Sequence, residues 1–165
     1  MFPSGRVWAA VFLVALVSGA QVAPDRTAEL RARFAKEADP VHKARLVTPL
    51  ADSEFRDMHQ KIDEGDLPGA AEIAGRVRDE AVASKKALDA KIRDPEAHPE
   101  GYKQLEIAVR ESVRRLDDIL VSIPKDDQKP LADVRKDLDE LEHQMIHQLF
   151  PKRPEPAPAP AKPNN

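Results

Sequence analysis

The sequence predicts an all-α protein: an antiparallel helical bundle of about four long helices plus a short N-terminal helix. Apolar residues recur every three or four positions through most of the chain, which is the spacing of one helix face. No run of β-branched residues alternates with polar ones, so no strand pattern competes with the helical one. The apolar stripes are also narrow, which is typical of bundles and coiled coils.

The first two helices are predicted from residues that start and stop helices. A short helix begins at about Asp25 and places Leu30 and Phe34 on one face. The second helix begins at Pro40, which fits the first turn of a helix, and it ends at Gly65.

Pro49 falls inside the second predicted helix and leaves two alternatives open. Thr48 caps a new helix that holds Pro49 in its first turn, or Pro49 kinks one longer helix. The sequence alone does not distinguish a division from a kink.

The third helix is predicted from Leu67 to about Arg93. Its apolar stripe consists of Leu67, Ala70, Ala74, Val77, Ala81, Leu88 and Ile92. The turn before it, from Lys61 to Leu67 together with Ala70, resembles the bend of a tetratricopeptide-type helical hairpin. The resemblance covers this single turn, because no repeat of about 34 residues recurs along the chain. It implies a shared way of turning between two helices.

The last two helices form the clearest predicted element, an antiparallel hairpin. The stripe of the fourth helix follows Pro99 and consists of Tyr102, Leu105, Val109, Val113, Leu116, Leu120 and Ile123. The stripe of the fifth consists of Leu131, Val134, Leu138, Leu141, Met145 and Leu149. Similar lengths and a short connection predict an antiparallel pair. We expect Asp126 or Asp127 to cap the fifth helix and Pro130 to lie in its first turn.

Residues 1–20 are predicted to be a cleavable signal peptide. Arg6 supplies positive charge, and the run from Val7 to Val17 is apolar. Ser18 and Ala20 are the small residues that signal peptidase accepts. The apolar run is about 11 residues long, well short of the roughly 18 that a membrane span needs.

The remaining chain divides into a helical bundle domain over residues 21–150 and a tail over residues 151–165. The tail contains six prolines in fifteen residues, so we predict that it is disordered. It is either a spacer, a ligand for a partner's groove or a solubilising extension.

Composition restricts the classes of function. The chain has a formal net charge of −3, which argues against a nucleic-acid partner. It contains no cysteine, which excludes disulfides and thiol catalysis. With the predicted signal peptide, this indicates a bacterial periplasmic or secreted protein. After cleavage we expect no stable insertion into a membrane.

A histidine pair is the sharpest candidate for a site. His143 and His147 lie four residues apart, on one helix face, and Glu140 shares that face. Such a set can bind zinc or copper, so the predicted metal site is His143 and His147, with Glu140 as a further candidate ligand. The alternative is that both histidines are solvated cations near the C-terminus of the helix, where the helix dipole favours positive charge. Gln144 stands where a zinc protease has its glutamate base, which argues against protease activity. Met58, His59 and His42 are further ligands that facing helices could supply.

We find no catalytic constellation and no phosphate-binding glycine loop in the sequence. The preferred interpretation is therefore a non-enzymatic interaction, adaptor or stress-chaperone-like module without a cofactor. Its partner is another protein or a second copy, bound through helical faces. The alternative is a metal-binding or metal-buffering bundle that uses His143 and His147.

Overall fold

The structure is a computed structural model, and it describes residues 25–151. All regular structure in this range is helical, so the predicted all-α bundle is confirmed. A short helix is followed by four long ones. Their bounds are α1 Arg26–Lys36, α2 Pro40–Asp63, α3 Leu67–Lys91, α4 Glu100–Ser122 and α5 Lys129–Leu149, and a 3₁₀ turn spans Lys125–Asp127.

Aspartate caps set the starts of α1 and α2. The Asp25 carboxylate accepts a hydrogen bond from the backbone N–H of Thr27 at 3.0 Å. The Asp39 carboxylate accepts one from the N–H of His42 at 2.8 Å, and Pro40 follows directly as the first residue of α2. These bonds satisfy donors that have no partner within a helix, so both predicted starts are confirmed.

The structure decides between the two alternatives at Pro49. Helix α2 runs without interruption across this position, so a division with Thr48 as a new cap is wrong. Proline lacks an N–H, and the carbonyl of Arg45 therefore loses its usual helical donor. Burial of Leu50 and Phe55 elsewhere on α2 compensates for that loss.

Gly65 makes the turn between α2 and α3. Its φ of 76° lies in the left-handed region that glycine adopts without strain. The N–H of Gly65 donates to the Ile62 carbonyl at 2.9 Å, which closes the end of α2. The Asp66 carboxylate then accepts from the N–H of Gly69 at 3.0 Å and starts α3. The predicted helix–turn–helix connection is therefore present, and α3 ends at Lys91.

The connection between α4 and α5 corrects one prediction. Asp126 and Asp127 lie in the 3₁₀ turn, and α5 begins after Gln128 without a side-chain cap. The Gln128 amide instead donates to the carbonyls of Leu120 at 2.7 Å and Ile123 at 3.1 Å. This side chain therefore satisfies the exposed end of α4 rather than the start of α5.

The two hairpins pack side by side into one bundle. Helix α2 contacts α3 and α4, helix α5 contacts α3 and α4, and α1 packs on α2. Arg45 donates to Gln104 at 3.2 Å, and Arg115 pairs with Asp52 at 2.6 Å, so α2 and α4 run in the same direction. Within each hairpin the helices are antiparallel, and Asp117 of α4 meets Arg135 of α5 at 2.9 Å.

Within residues 25–151, no helix combines the length and the apolar character needed to cross a bilayer. The predicted signal peptide over residues 1–20 lies outside the described residues. So does the predicted disordered tail, except for Pro151.

Candidate functional site

An apolar groove runs between α4 and α5 near the end of α5. It has a volume of about 390 Å³. Four apolar and three charged side chains line it: Ile107, Ile146, Leu149 and Phe150, with Lys103, Glu106 and Arg110. The exposed fraction is 52% for Ile107, 39% for Ile146 and 66% for Phe150. We call this surface the α4/α5 groove. Adjacent exposed apolar residues of this kind mark interaction surfaces more often than isolated ones do.

The groove exists because apolar residues stand outside the buried stripes. Ile107 lies two residues after the buried Leu105, which places it about 200° around α4. Ile146 follows the buried Met145, and Phe150 lies just beyond the last turn of α5. Packing within the bundle therefore does not require any of these three side chains to be apolar.

The charged side chains that line the groove all come from α4. They are the exposed cations Lys103 and Arg110, together with Glu106, which pairs with Arg110 at 3.0 Å. Glu142 of α5 does not line the groove but lies close enough to interact with Glu106 and Arg110. Burial raises the pKa of Glu142, and the nearby Glu106 carboxylate raises it further. The α4 side of the groove thus carries two cations and one carboxylate, whereas its lining residues from the end of α5 are all apolar.

A polar network fixes the end of α5, from which Phe150 projects. The Tyr102 hydroxyl donates to Asp89 at 2.8 Å, and the nearly buried Lys85 pairs with the same carboxylate at 2.7 Å. Gln148 donates to Asp89 from α5 at 3.4 Å. One aspartate therefore links α3, α4 and α5 next to the groove.

The predicted metal ligands lie on the outer face of α5. His143, His147 and Glu140 are all exposed, and Glu140 is 3.8 Å from Lys136. The Nδ1 of His143 donates to the Asp139 carbonyl at 2.7 Å, because a carbonyl can only accept. This bond directs Nε2 outward, in the orientation that metal-binding histidines adopt.

The structure does not bring the other predicted ligands to this pair. Met58 is fully buried in the core, and His59 is exposed in the last turns of α2. His42 lies at the start of α2. Among residues 25–151, no group of three or more histidine, aspartate or glutamate side chains is arranged to hold a metal ion.

A second site, which sequence reasoning missed, is a charge cluster between α1, α2 and α3. The Glu54 carboxylate is 0% exposed and accepts from Arg31 of α1 at 2.6 Å. Arg76 of α3 lies 3.5 Å from the same oxygen, and Arg31 lies 3.5 Å from Glu80 of α3. We call these four residues the buried charge cluster. Such clusters are stable only when every charge has a partner.

Burial and the neighbouring Glu54 carboxylate together raise the pKa of Glu80 to about 8, although Arg31 acts in the opposite direction. The second oxygen of Glu54, Oε2, is buried and has no hydrogen-bond partner among residues 25–151. At neutral pH Glu80 is largely protonated beside Arg31.

Paired carboxylates with separated proton affinities can act as a general acid and base. Here, however, Glu54 is fully buried and bonded to Arg31 of α1. The ion pairs of the cluster connect α1 to α2 and α3.

The sequence did contain a signal for this cluster. Glu54 lies four residues after Leu50 and four before Met58, so it occupies a position of the buried stripe of α2. A charge in that register must be buried with a partner. The partner arginines come from other helices, and the helical spacing of α2 says nothing about them.

Comparisons of this chain with protein families, curated proteins and solved structures give no match.

Proposed function

We propose that this chain is an exported, non-enzymatic interaction module that associates with a second copy of itself through the α4/α5 groove. The observation that carries the proposal is the exposure of Ile107, Ile146 and Phe150 side by side. Exposed apolar side chains that serve no purpose inside the bundle are stabilised by burial against a partner. This role belongs to the class of adaptor and stress-chaperone-like proteins.

The charges beside the groove favour a second copy as the partner. A two-fold axis parallel to the helices places α4 of each copy opposite α5 of the other. Arg110, which interacts with Glu142 of its own chain, then also lies near Glu142 of the second copy, and the same contact repeats across the axis. The apolar floors meet between them. The product is an antiparallel four-helix contact, a packing that narrow apolar stripes favour.

Sedimentation equilibrium of the exported chain, from micromolar concentration to about 1 mM, tests the proposal. Ile107→Asp places a carboxylate on the apolar floor, and we expect it to weaken dimerisation at least tenfold. Val82→Asp is the matched control, because Val82 is 46% exposed on α3 and lies outside the groove. Circular dichroism checks that both variants remain helical.

Each outcome of this experiment is decisive. A dimer that Ile107→Asp disrupts and Val82→Asp leaves intact supports the proposal. A chain that stays monomeric throughout contradicts it. A chain that dimerises only after residues 152–165 are deleted also contradicts the proposal, because the tail would then be the segment that covers the groove. Equal weakening by both variants would place the contact elsewhere.

The predicted signal peptide supports the exported location. If Ser18 and Ala20 direct cleavage, the exported chain begins at Gln21 and lacks Trp8, the only tryptophan. Intact-mass measurement and the loss of indole fluorescence test this proposal. Material recovered outside the cytoplasm that retains Trp8 would contradict it.

Metal binding is a second candidate, favoured by the orientation of His143. The bond to the Asp139 carbonyl leaves Nε2 of His143 free, one turn from His147. Titration of the exported chain with zinc and with copper tests it. The double variant His143→Ala, His147→Ala should bind each ion at least tenfold more weakly. Equal affinity in the variant and the parent would end this alternative.

A further inference from the structure

A cavity of about 500 Å³ opens where α1 ends and α2 begins. It is lined by Arg33, Lys36, Glu37, His42, Arg45 and Leu46. Its volume falls within the range of small-molecule sites, roughly 300–1,000 Å³. We call it the joint cavity. Its lining residues come from α1, α2 and the connection between them, and none of them lines the α4/α5 groove.

The joint cavity is positively charged in a chain whose net charge is negative. Three cationic side chains line it, against the single carboxylate of Glu37. That carboxylate is already engaged, because it accepts the backbone N–H of Asp39 at 2.8 Å. Arg33 and Lys36 form no ion pair with any residue among 25–151. Arg33 and Lys36 therefore bring positive charge to the cavity without an ion-pair partner of their own.

Helix dipoles do not remove this excess of positive charge. The C-terminus of α1 favours Arg33 and Lys36, which lie in its last turn. The N-terminus of α2 meets it at the same place and contributes positive potential of its own. The Arg45 guanidinium makes one hydrogen bond, to Gln104 at 3.2 Å, and one long ion pair, to Glu100 at 3.9 Å. An anion in the cavity would be stabilised by several of these groups together.

The walls of the cavity also offer apolar surface. Leu46 is half-buried, and the aliphatic stems of the arginine and lysine side chains line the space beside it. An inorganic ion would contact the charged groups but leave most of the volume unfilled. A ligand with an acidic head and an apolar body would use both kinds of surface.

We infer that the joint cavity binds an organic anion that carries a carboxylate or phosphate head on an apolar body. Arg33 and Lys36 bind the head, and Leu46 contacts the body. The C-terminal tail is a poor occupant, because residues 152–165 contain three basic residues and one acidic one. This site is independent of the proposed dimer contact.

Calorimetric titration of the exported chain with decanoate tests the inference, at ligand concentrations below micelle formation. Parallel titrations use decanol, which lacks the charge, and inorganic phosphate, which lacks the apolar body. The double variant Arg33→Gln, Lys36→Gln removes two charges from the cavity. Lys125→Gln, Lys136→Gln is the charge-matched control, because both lysines are exposed and lie outside the cavity.

We expect decanoate to bind the parent and the control equally, and the cavity variant at least tenfold more weakly. Ile107→Asp should leave this affinity unchanged, which separates the site from the α4/α5 groove. Equal affinity in the cavity variant, or no binding of decanoate, would overturn the inference. Decanol or phosphate binding as tightly as decanoate would overturn the assignment of an anion with an apolar body.

Discussion

The two hairpins of the bundle place their polar and apolar groups in opposite ways. The α2–α3 hairpin, with α1 packed on it, buries charge: Glu54 and Lys85 lie at positions of the helical stripe. All the buried residues of α5 are leucine, valine or methionine, while Ile107 and Ile146 of the α4–α5 hairpin face outward. The first hairpin buries charged side chains, and the second groups exposed apolar side chains in one groove.

This difference shows that helical spacing fixes which face is buried but not what chemistry it carries. A carboxylate is tolerated in the stripe of α2 because Arg31 and Arg76 reach it from two other helices. An isoleucine is tolerated outside the stripe of α4 because a single exposed apolar side chain costs little. We therefore expect the first hairpin to respond to charge and pH, and the second to respond to apolar substitution and to concentration.

The largest expected effect comes from Glu54→Ala, which removes the central carboxylate of the buried charge cluster. Arg31 and Arg76 would lose their shared partner, and we expect a loss of about 3–5 kcal/mol in the free energy of unfolding. Urea denaturation measures it. Glu111→Ala is the control, since Glu111 pairs with Arg114 at 2.7 Å on the surface and should contribute less than about 1 kcal/mol. Equal effects of the two variants would contradict the contrast between buried and surface charges.

Leu138→Ala tests the apolar hairpin in the same way. Leu138 is fully buried in α5, so its truncation should leave a cavity and cost about 2–5 kcal/mol. Val121→Ala serves as the control, because Val121 is 88% exposed on α4 and the change should lie within about 0.5 kcal/mol. A small effect at Leu138 would mean that α5 is not held by its apolar stripe.

The pH dependence of stability should arise in the first hairpin. The pKa of Glu80 is about 8 in the folded chain and 4.5 in the unfolded one, so the folded chain binds more protons between these values. The contribution of Glu80 to the free energy of unfolding is therefore fully present below pH 4.5, and it is lost as the pH rises from there through about 8. Glu80→Gln keeps a neutral side chain at all pH values. It should raise the unfolding free energy at pH 9 by about 1–3 kcal/mol relative to the parent.

Matched unfolding curves at pH 5 and pH 9 measure this difference. At pH 5 the variant and the parent should differ far less than at pH 9, because the folded chain is still far below the pKa of about 8 of Glu80. A parent that became more stable between pH 5 and pH 9, with the same change in Glu80→Gln, would contradict the raised pKa of Glu80.

The smallest effect concerns the turn of the α2–α3 hairpin. Gly65 has a positive φ, and it is the only residue with one among residues 25–151. Gly65→Ala should therefore cost about 1 kcal/mol. Gly75→Ala is the control: Gly75 lies inside α3 with open space around an added Cβ, and alanine should stabilise the helix by about 0.5–1 kcal/mol. Effects of equal sign at both positions, measured by thermal unfolding, would contradict the role of the turn.

Sequence spacing predicted much of the fold because each helix carries its own apolar stripe. Leu138 and Met145 of α5, for example, are buried as their spacing indicates. The prediction that Asp126 or Asp127 caps α5 was wrong. Gln128 precedes α5 and bonds to the end of α4, and a contact between neighbouring helices of this kind has no recognisable pattern in the local sequence. At Pro49 both alternatives satisfied local rules, and tertiary burial decided between them.

The candidate sites were less predictable for the same reason. His143 and His147 were placed on one face by their spacing, and that much holds in α5. The buried charge cluster depends on residues from three helices that are distant in sequence, such as Arg31 and Glu80. The α4/α5 groove depends on which outward residues, such as Ile107 and Phe150, become neighbours after packing.

The most direct test of the proposed association is a dilution series of the exported chain followed by NMR of its isoleucine methyl groups. The signals of Ile107 and Ile146 should shift with concentration as the groove becomes covered. Those of Ile73 and Ile119, which are buried in the core, should stay constant. Signals of Ile107 and Ile146 that do not move between micromolar and millimolar concentration would contradict it.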